Sequence, residues 1–241
     1  MIILRADNIR KMHSKTEGIS NASLSVSTRE TVGIRGPSGS GKSTLLCALS
    51  LIDPPDSGSL LLFGEEYNFT KPQAFRVVRD GIRLNNLKPA RQIWPRLTVV
   101  FQEHFLWPNL SLARNITLSL QEKPELRTEA MRLIEAFQLQ SIASKYPHEC
   151  SLGQRQRAAL IRALALLPEI LLMDEPTAAL DRDMIDILIS ELNRRSQRGL
   201  ANLIISHDLN FLNSVCHRTY WLAAGQLYDK CPLSAFAYQC R

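Results

Sequence analysis

The stretch Gly36-Pro37-Ser38-Gly39-Ser40-Gly41-Lys42-Ser43-Thr44 decides the fold of this chain. It fits the pattern G-x-x-x-x-G-K-[ST] at every fixed position. The apolar residues 31–34 before it are predicted to form a strand, and residues 45–49 after it a helix. A plain Gly/Ser turn is the alternative, but a chance match would rarely have these flanks. Strand, glycine-rich loop and helix in this order predict a phosphate-binding unit in an α/β protein.

The residue types in this loop suit a polyphosphate. Glycines let backbone N–H groups converge on the β- and γ-phosphates without a Cβ in the way. Lys42 supplies a positive charge to those phosphates, and the hydroxyl of Ser43 is a suitable ligand for Mg²⁺. The sequence therefore predicts that residues 36–44 bind a nucleotide together with a magnesium ion.

Two later segments indicate what the nucleotide is used for. In Ser151-Leu152-Gly153-Gln154 the Ser and Gln stand at capping-box spacing, so a helix begins here with a positively polarised end that suits an anion. Ile170-Leu171-Leu172-Met173-Asp174-Glu175 is an apolar run that ends in two carboxylates. Such a run predicts a strand buried on both faces, which brings its acids to the carboxyl edge of the sheet. One segment thus offers a helix end that suits phosphate, and the other a strand end whose carboxylates suit a metal ion and water. Together they predict an ATPase.

Length and composition narrow the class of protein. A chain of 241 residues can bury a large core as one α/β domain, with or without a helical insertion. No segment reaches the length needed to cross a bilayer, and residues 1–4 are too short for a signal-peptide core, so we expect a cytosolic protein. The net charge of +6 is dispersed without aromatic interleaving, so nucleic acid is not an expected partner.

The five cysteines are scattered and odd in number, which is typical of thiols in a reducing compartment. Cys150 stands beside Ser151, and its predicted role is packing, with redox control as the alternative.

Periodicity and breakers predict the remaining order of elements. Residues 1–35 indicate an antiparallel β start, and residues 72–97 a helix followed by a loop. The helix that begins at Ser151 is expected to run to about Leu167, where Pro168 ends it. The other predicted elements are strands at 59–63, 97–101 and 203–206 and helices at 125–139 and 183–195. This order predicts an α/β core with helices inserted between the two halves of the nucleotide site.

With these motifs in this order, the chain resembles an ATP-binding cassette (ABC) ATPase along nearly its whole length. The residues that carry the resemblance are the phosphate loop 36–44, Gln102 after a strand, residues 150–154, Asp174-Glu175, Ala179-Leu180-Asp181 and His207. It implies one nucleotide-binding domain over residues 1–241, a P-loop core with an antiparallel β subdomain and an α-helical subdomain at roughly 103–168. Tyr146-Pro147-His148-Glu149 resembles the corresponding segment of polar amino-acid importers, and the segments 69–71, 106–108 and 176–181 look most like those in ATPase subunits of arginine and histidine importers.

The resemblance implies a role for each polar residue of the site, with ATP and Mg²⁺ as the bound species. Asp174 holds the hydration shell of Mg²⁺, and Glu175 orients or deprotonates the attacking water. The amide of Gln102 touches both Mg²⁺ and water and couples the nucleotide state to the membrane subunits. His207 bonds the γ-phosphate and holds Glu175 and water in place, although an isolated histidine there would more often pack in the core.

Three sites keep two interpretations. Asp181 resembles an acid at the dimer contact, and it also fits an N-terminal cap of the helix that follows, and both roles are compatible. His13 stands where the family has an adenine-stacking ring, or it is an exposed loop histidine. Phe105, Leu106 and Trp107 form a groove for a short helix of the membrane subunit, or they pack locally.

Residues 150–154 depart from the family pattern L-S-G-G-Q. Ser151, Gly153 and Gln154 are kept, whereas Cys150 and Leu152 replace Leu and the first Gly. In the family this segment closes over the ATP of the opposite subunit, so that two ATPs lie in a head-to-tail dimer. Leu152 keeps its N–H but adds a side chain where backbone approaches phosphate, which predicts reduced hydrolysis.

The sequence as a whole favours the ATP-hydrolysing subunit of an importer for a polar or basic, arginine-like amino acid. The implied partners are a second cassette, identical or paired, the integral membrane permease subunits and, indirectly, a solute-binding protein. Such a subunit lies peripherally on the cytoplasmic face of the membrane. An exporter or cell-division ATPase and a weakly active regulatory cassette are the alternatives. Repair and translation ABC ATPases carry coiled-coil insertions or two cassettes, and this chain has neither.

Overall fold

The computed structural model describes residues 1–14, 17–69, 93–120 and 123–231, and the backbone alone of 75–79 and 82–85. The strands in these residues are β1 (Ile2–Met12), β2 (Gly18–Ser27), β3 (Thr31–Arg35), β4 (Ser57–Leu62), β5 (Glu65–Phe69), β6 (Phe75–Arg79), β7 (Ile82–Asn85), β8 (Leu97–Val100), β9 (Ile170–Asp174), β10 (Ala201–Ile205), β11 (Arg218–Ala223) and β12 (Gln226–Tyr228). They form one sheet in the order β7-β6-β5-β4-β1-β2-β12-β11-β3-β10-β9-β8.

Helices connect the strands and cover the sheet. They are α1 (Lys42–Leu49), α2 (Leu112–Thr117), α3 (Pro124–Ala136), α4 (Leu152–Ala165), α5 (Arg182–Gln197) and α6 (Leu209–Val215). Short 3₁₀ turns lie at Leu118–Leu120, Gln140–Ile142 and Pro147–Glu149. The predicted helices at 125–139, 151–167 and 183–195 are confirmed, with ends that shift by a few residues.

The parallel half of the sheet positions the site. β3 pairs in parallel with β10 and β11, and β9 pairs in parallel with β8 and β10. In this register Ile205 lies opposite both Ile34 and Asp174. The loop at 36–41, Asp174 and His207 therefore all follow strands that end at one edge of the sheet, where ligands of α/β proteins bind.

Two hydrophobic clusters cover opposite sides of the parallel strands. On β9, Ile170 and Leu172 belong to the first cluster, whereas Leu171 and Met173 belong to the second, which also contains apolar residues of helices α2 to α6. This alternation is the period of a strand with both faces covered. It confirms the prediction that residues 170–174 form a strand buried on both sides. Cys150 is 8% exposed and packs in the second cluster, so its predicted packing role is confirmed.

The antiparallel half of the sheet extends further than the sequence predicted. β1 pairs with β2 and β4, which confirms the antiparallel start of the chain. The predicted helix and loop at 72–97 is wrong for residues 75–79 and 82–85, because β6 pairs with β5, and β7 with β6, whereas residues 94–96 form a turn, which agrees with the predicted loop. Phe75, Val77, Val78 and Ile82 favour a strand once an edge is available to pair with. Residues 72–74, 80–81 and 86–92 of that prediction lie outside the described residues.

An ionic network ties α3 to α5. The guanidinium of Arg132 donates to both carboxylate oxygens of Glu191, at 2.8 Å each, and Arg194 donates to the same residue at 2.8 Å. Glu129 contacts Arg132 at 2.9 Å and also pairs with Arg195. Arg195 in turn donates to the carbonyl of Leu164 at 3.0 Å, so the network also reaches α4.

Glu191 makes the stability of this network dependent on pH. Burial by itself raises the pKa of Glu191, but hydrogen bonds from Arg132 and Arg194 outweigh it and lower that pKa from 4.5 to about 2. The stabilisation from the ionised form is therefore complete above pH 4.5 and is lost as the pH falls through about 2.

We expect the Glu191→Gln variant to lose about 1–3 kcal/mol of unfolding free energy at pH 7, because charge-assisted hydrogen bonds are replaced by weaker ones. Its stability should also fall less steeply between about pH 5 and pH 2. Urea unfolding at several pH values measures both effects. Glu135→Gln, at an exposed position of α3, is the matched control. Equal pH dependence in the wild type and the Glu191 variant would contradict the expectation.

Candidate functional site

Lys42 is folded back against its own loop. Its Nζ donates to the carbonyl oxygens of Gly36 at 2.9 Å and Pro37 at 2.8 Å. Burial lowers the pKa of Lys42, and the nearby carboxylates of Glu175 and Asp174 oppose that shift. Gly39 has a φ of 75°, a left-handed value that favours glycine, and no atom lies within 4 Å of where its Cβ would be. The loop thus presents open backbone and a half-buried cation, which suits an anionic ligand.

A cleft of about 620 Å³ opens over this loop. Eleven of the residues singled out in the sequence line it, together with Glu17, Gly18 and Ala178. These eleven are His13, Ser38, Gly39, Gly41, Lys42, Ser43, Thr44, Gln102, Asp174, Glu175 and His207. Gly36, Pro37 and Ser40 do not line it. Gly36 and Pro37 instead supply the carbonyls that hold Lys42, and Ser40 is buried within the loop.

The residues proposed to hold a metal lie close together. The hydroxyl of Ser43 donates to Oδ2 of Asp174 at 2.6 Å, which links the start of α1 to the end of β9. Gln102 follows β8 and lines the same cleft. Hydroxyl, carboxylate and amide oxygens are hard donors, and Mg²⁺ is commonly bound by one or two protein oxygens plus substrate phosphates. This donor set fits Mg²⁺.

Glu175 is held by contacts to the end of β10. Its N–H donates to the carbonyl of Ile205 at 2.9 Å, and its Oε2 accepts from the N–H of His207 at 3.3 Å and from the hydroxyl of Ser206 at 3.4 Å. Oε1 lies 3.5 Å from Nε2 of His207 and has no hydrogen-bond partner among the described residues. Burial raises the pKa of Glu175, and the backbone N–H of His207 partly offsets it. A raised pKa and an unpartnered oxygen suit a proton acceptor.

His13 reaches the cleft from the end of β1. Its Nε2 lies 3.2 Å from Oγ1 of Thr44, and its ring is exposed. The structure therefore brings His13 to the loop, and stacking on adenine stays a prediction.

The segment 151–154 begins α4 as predicted. The N–H of Ser151 donates to Oε1 of Gln154 at 2.9 Å, and the N–H of Gln154 donates to Oγ of Ser151 at 3.2 Å, so the capping box is confirmed. None of Ser151, Gly153 and Gln154 is among the described residues that line the cleft of Lys42. Leu152 is 55% exposed at the first position of the helix. This helix end therefore faces solvent outside the chain's own cleft.

Asp181 begins α5. Its side chain Oδ1 accepts from the N–H of Met184 at 3.0 Å, which confirms the predicted N-terminal cap. Its other role, at a contact between two cassettes, stays a prediction.

A second, apolar cleft of about 680 Å³ lies beside Gln102. Phe105 and Trp107 are 62% and 44% exposed, so local packing does not bury them, while Leu106 is partly buried against the second cluster. The guanidinium of Arg162 lies 5.4 Å from the ring centroid of Trp107 and donates to the carbonyls of His104 and Phe105 at 2.8 Å each. The apolar lining of this groove includes Ile93, Trp94, Val99, Phe101, Trp107 and Leu166.

Sequence reasoning missed Gln156. This residue is only 3% exposed on α4, and its amide bonds the backbone of Glu175 and Ala179. A signal was present, because Gln156 shares a helix face with the apolar Leu160 and Ala163. A glutamine on such a face is expected to have buried partners.

In the described part of the chain, no helix is both long enough and apolar enough to span a membrane.

Comparisons with known proteins place these features in a family. The family model described as "ABC transporter" matches residues 19–178. The octopine permease ATP-binding protein P of Rhizobium radiobacter is 34% identical over 94% of this chain and 87% of its own length. The glutamate/aspartate import ATP-binding protein of Escherichia coli K12 is 31% identical over 98% of this chain and 92% of its own. The arginine transport ATP-binding protein of Haemophilus influenzae is 29% identical over 94% and 90%.

Solved structures agree with these relatives. A dimeric ATP-binding cassette in a post-hydrolysis state, bound to ADP and Pi, is 28% identical and superposes with a TM-score of 0.74, covering 93% of this chain and 96% of that one. The predicted fold class, an α/β P-loop core with an antiparallel β subdomain and helices on the sheet, is therefore confirmed. The phosphate loop, the two carboxylates at the end of β9 and the match over most of its length show that the chain belongs to the ABC transporter family, as an ATPase cassette.

Proposed function

We propose that this chain is the ATP-binding and ATP-hydrolysing subunit of an ABC importer for a polar or basic amino acid. The observation that carries the proposal is the cleft in which Lys42, Ser43 and Asp174 meet Glu175 and His207. These residues supply a phosphate cradle, oxygen ligands for Mg²⁺ and a proton acceptor at one edge of the sheet.

The residues of the cleft divide the work. The N–H groups of the loop and the charge of Lys42 hold the phosphates. When bound by Ser43 and Asp174, with Gln102 alongside, Mg²⁺ neutralises charge on the transferred phosphoryl group. Glu175 accepts a proton from the attacking water or orients it, and His207 keeps the carboxylate in place through its N–H and its ring.

The exposed start of α4 supports a dimer. Ser151, Gly153 and Gln154 present a polar helix end away from the chain's own cleft. A helix N-terminus is a favourable place for phosphate, and in a head-to-tail dimer this end would cover the ATP of the other cassette. The similarity to dimeric cassettes supports this arrangement, in which Asp181 lies near the contact.

Leu152 is the residue at this exposed start of α4 that departs from the family pattern. We expect Leu152→Gly to raise steady-state ATP turnover by about two- to tenfold, which is at most about 1.4 kcal/mol of barrier, because the side chain no longer holds backbone away from phosphate. Leu118→Gly, at another exposed leucine that begins a helical turn, controls for the added glycine. An unchanged rate in Leu152→Gly would remove the idea that Leu152 slows hydrolysis.

The apolar groove beside Gln102 supports a membrane partner. Its lining includes Phe101, the residue directly before Gln102, and Trp107, so a helix seated in it would sense changes at the nucleotide. We propose that residues 103–168 form the helical subdomain and that this groove receives a short helix of the permease. The cassette would then lie peripherally on the cytoplasmic face of the membrane, with a solute-binding protein acting on the permease from the other side.

The names of the relatives support an amino-acid cargo. They are named for arginine, octopine and glutamate or aspartate, which are amino acids or close derivatives, and an arginine-like cargo is the proposal. The cassette itself need not touch the cargo.

Transport by the assembled complex tests the function. The cassette is co-purified with its permease subunits, reconstituted in vesicles with ATP, and assayed for uptake of arginine, histidine and glutamine. We expect ATP-dependent uptake of arginine or histidine that is lost with Glu175→Gln. ATP turnover without uptake of any amino acid would favour an exporter or cell-division ATPase. A wild-type cassette without turnover would favour a regulatory role.

A further inference from the structure

Gln156 uses both ends of its buried side-chain amide. Its Nε2 donates to the backbone carbonyl of Glu175 at 2.9 Å, and its Oε1 accepts from the backbone N–H of Ala179 at 2.9 Å. The side chain is only 3% exposed, so water is a poor substitute for either bond. A residue of α4 therefore fixes the segment that carries the proton acceptor.

The backbone that it holds is unusual. Glu175 has a φ of 48°, in the left-handed region that non-glycine residues adopt only at a cost of about 1–2 kcal/mol. Three hydrogen bonds to the backbone of Glu175 maintain this conformation. Its N–H donates to the carbonyl of Ile205, and its carbonyl accepts from the side chain of Gln156 at 2.9 Å and from the N–H of Ala178 at 3.3 Å. The direction of the Glu175 side chain follows from this backbone. Gln156 supplies the only one of the three bonds that comes from a side chain of α4, and it is shorter than the bond from Ala178.

A second contact joins the same two segments. A Cβ on Gly153 would lie 2.4 Å from the carbonyl oxygen of Ala179. The first turn of α4 and residue 179 are therefore closer together than a residue with a side chain at position 153 would allow. Gly153 and Gln156 lie three positions apart, on one side of the helix. The start of α4 and the segment 175–179 are therefore in direct contact at two places.

We propose that Gln156 is a positioning residue for ATP hydrolysis, which transmits the placement of the α4 start to the carboxylate of Glu175. This inference rests on the proposed function of Glu175 as the residue that acts on water. Gln156 does not line the nucleotide cleft in the described structure, so it acts through Glu175 and not on ATP. It links the helix end that covers one ATP to the carboxylate that hydrolyses the other ATP of the dimer.

Two substitutions separate this role from simple packing. Gln156→Glu keeps the shape of the side chain and an acceptor for Ala179 but, when ionised, has no donor for the carbonyl of Glu175. Gln156→Leu removes both bonds at similar volume. Gln197→Leu, at an exposed position near the end of α5, is the matched control.

Steady-state kinetics of the full chain give the first readout. We expect kcat to fall about tenfold or more in both Gln156 variants, because small misplacements of a catalytic group are costly. KM for ATP should stay within about threefold, because Gln156 makes no contact with the phosphate loop in the described structure. Unchanged kcat in the Gln156→Glu variant would overturn the proposal, and so would a loss confined to KM.

A double-mutant cycle gives the second readout. In a Glu175→Gln background, adding Gln156→Leu should reduce the residual rate by less than about twofold, because both substitutions act on one group. Full additivity would overturn the proposal. If Gln156→Leu does not fold, the cycle is run with Gln156→Glu. A wild-type chain without ATP turnover would refute the proposed function itself, whereas an active wild type with unaffected Gln156 variants would refute this inference alone.

Discussion

The Glu175→Gln variant is expected to hydrolyse ATP about 100- to 10,000-fold more slowly than the wild type. The amide keeps the size of the side chain and its hydrogen-bonding reach but cannot accept the proton of the attacking water. ATP should bind with nearly unchanged affinity, because the proposed phosphate-binding residues, Lys42 and the loop, are unchanged in this variant. Phosphate release under steady-state conditions and equilibrium binding of ATP measure the two quantities separately.

The pH profile provides an independent check on Glu175. Because burial raises the pKa of Glu175, its active, ionised form is populated only at a higher pH than for an exposed glutamate. We expect kcat of the wild type to rise with pH through this shifted pKa, and that rise should be absent from the residual activity of Glu175→Gln. A residual rate that retains the same rise would assign the titration to another group.

A matched substitution guards against a general effect of charge removal. Glu66→Gln removes a carboxylate from an exposed position on β5, far along the sheet order from β9. Its turnover should equal that of the wild type. If Glu175→Gln and Glu66→Gln lose activity to the same extent, Glu175 does not act on water.

Local patterns predicted the parts of the site that follow single strands. The phosphate loop, Asp174 and Glu175 each have a residue pattern that specifies both local structure and chemistry. Their meeting at one edge follows from the parallel pairing of β3, β10 and β9, which the alternation of strand and helix already indicated. This is why most residues that line the cleft could be predicted from the sequence.

Long-range pairings were beyond the reach of those patterns. β6 pairs with the edge of β5, and β7 pairs with β6. The residues 72–97 taken alone do not show that this edge is available for pairing. The pairing of Arg132 with Glu191 joins two helices that are distant in sequence, and either residue alone reads as a solvent-exposed charge. For Gln156, the helix face indicates buried partners, but the sequence does not show that these partners are the backbone groups of Glu175 and Ala179.

The Lys42→Ala variant is expected to bind ATP about 100-fold or more weakly than the wild type. In the proposed site the lysine would donate charge-assisted hydrogen bonds to phosphate, worth about 1.5–3 kcal/mol each, and about 2.7 kcal/mol corresponds to 100-fold. Isothermal titration calorimetry with ATP measures the loss of affinity. Lys145→Ala, at an exposed position, should bind as the wild type does. Binding within about threefold of the wild type in Lys42→Ala would remove Lys42 from the phosphate site.

The two variants together test the dimer. With ATP, Glu175→Gln should accumulate as a dimer, because ATP is bound and not consumed, whereas Lys42→Ala should stay a monomer. In a mixed dimer, the intact phosphate loop of the Glu175→Gln chain faces the α4 start of the Lys42→Ala chain. That helix start is also intact, because the Lys42→Ala chain keeps Ser151, Gly153 and Gln154. We therefore expect mixed dimers to form, and the fraction of chains in dimers should lie between the fractions in the two pure samples. Light scattering and native mass spectrometry measure these fractions. If Ser151–Gln154 instead served the chain's own nucleotide, ATP would not join the Glu175→Gln chains, and both variants would remain monomers.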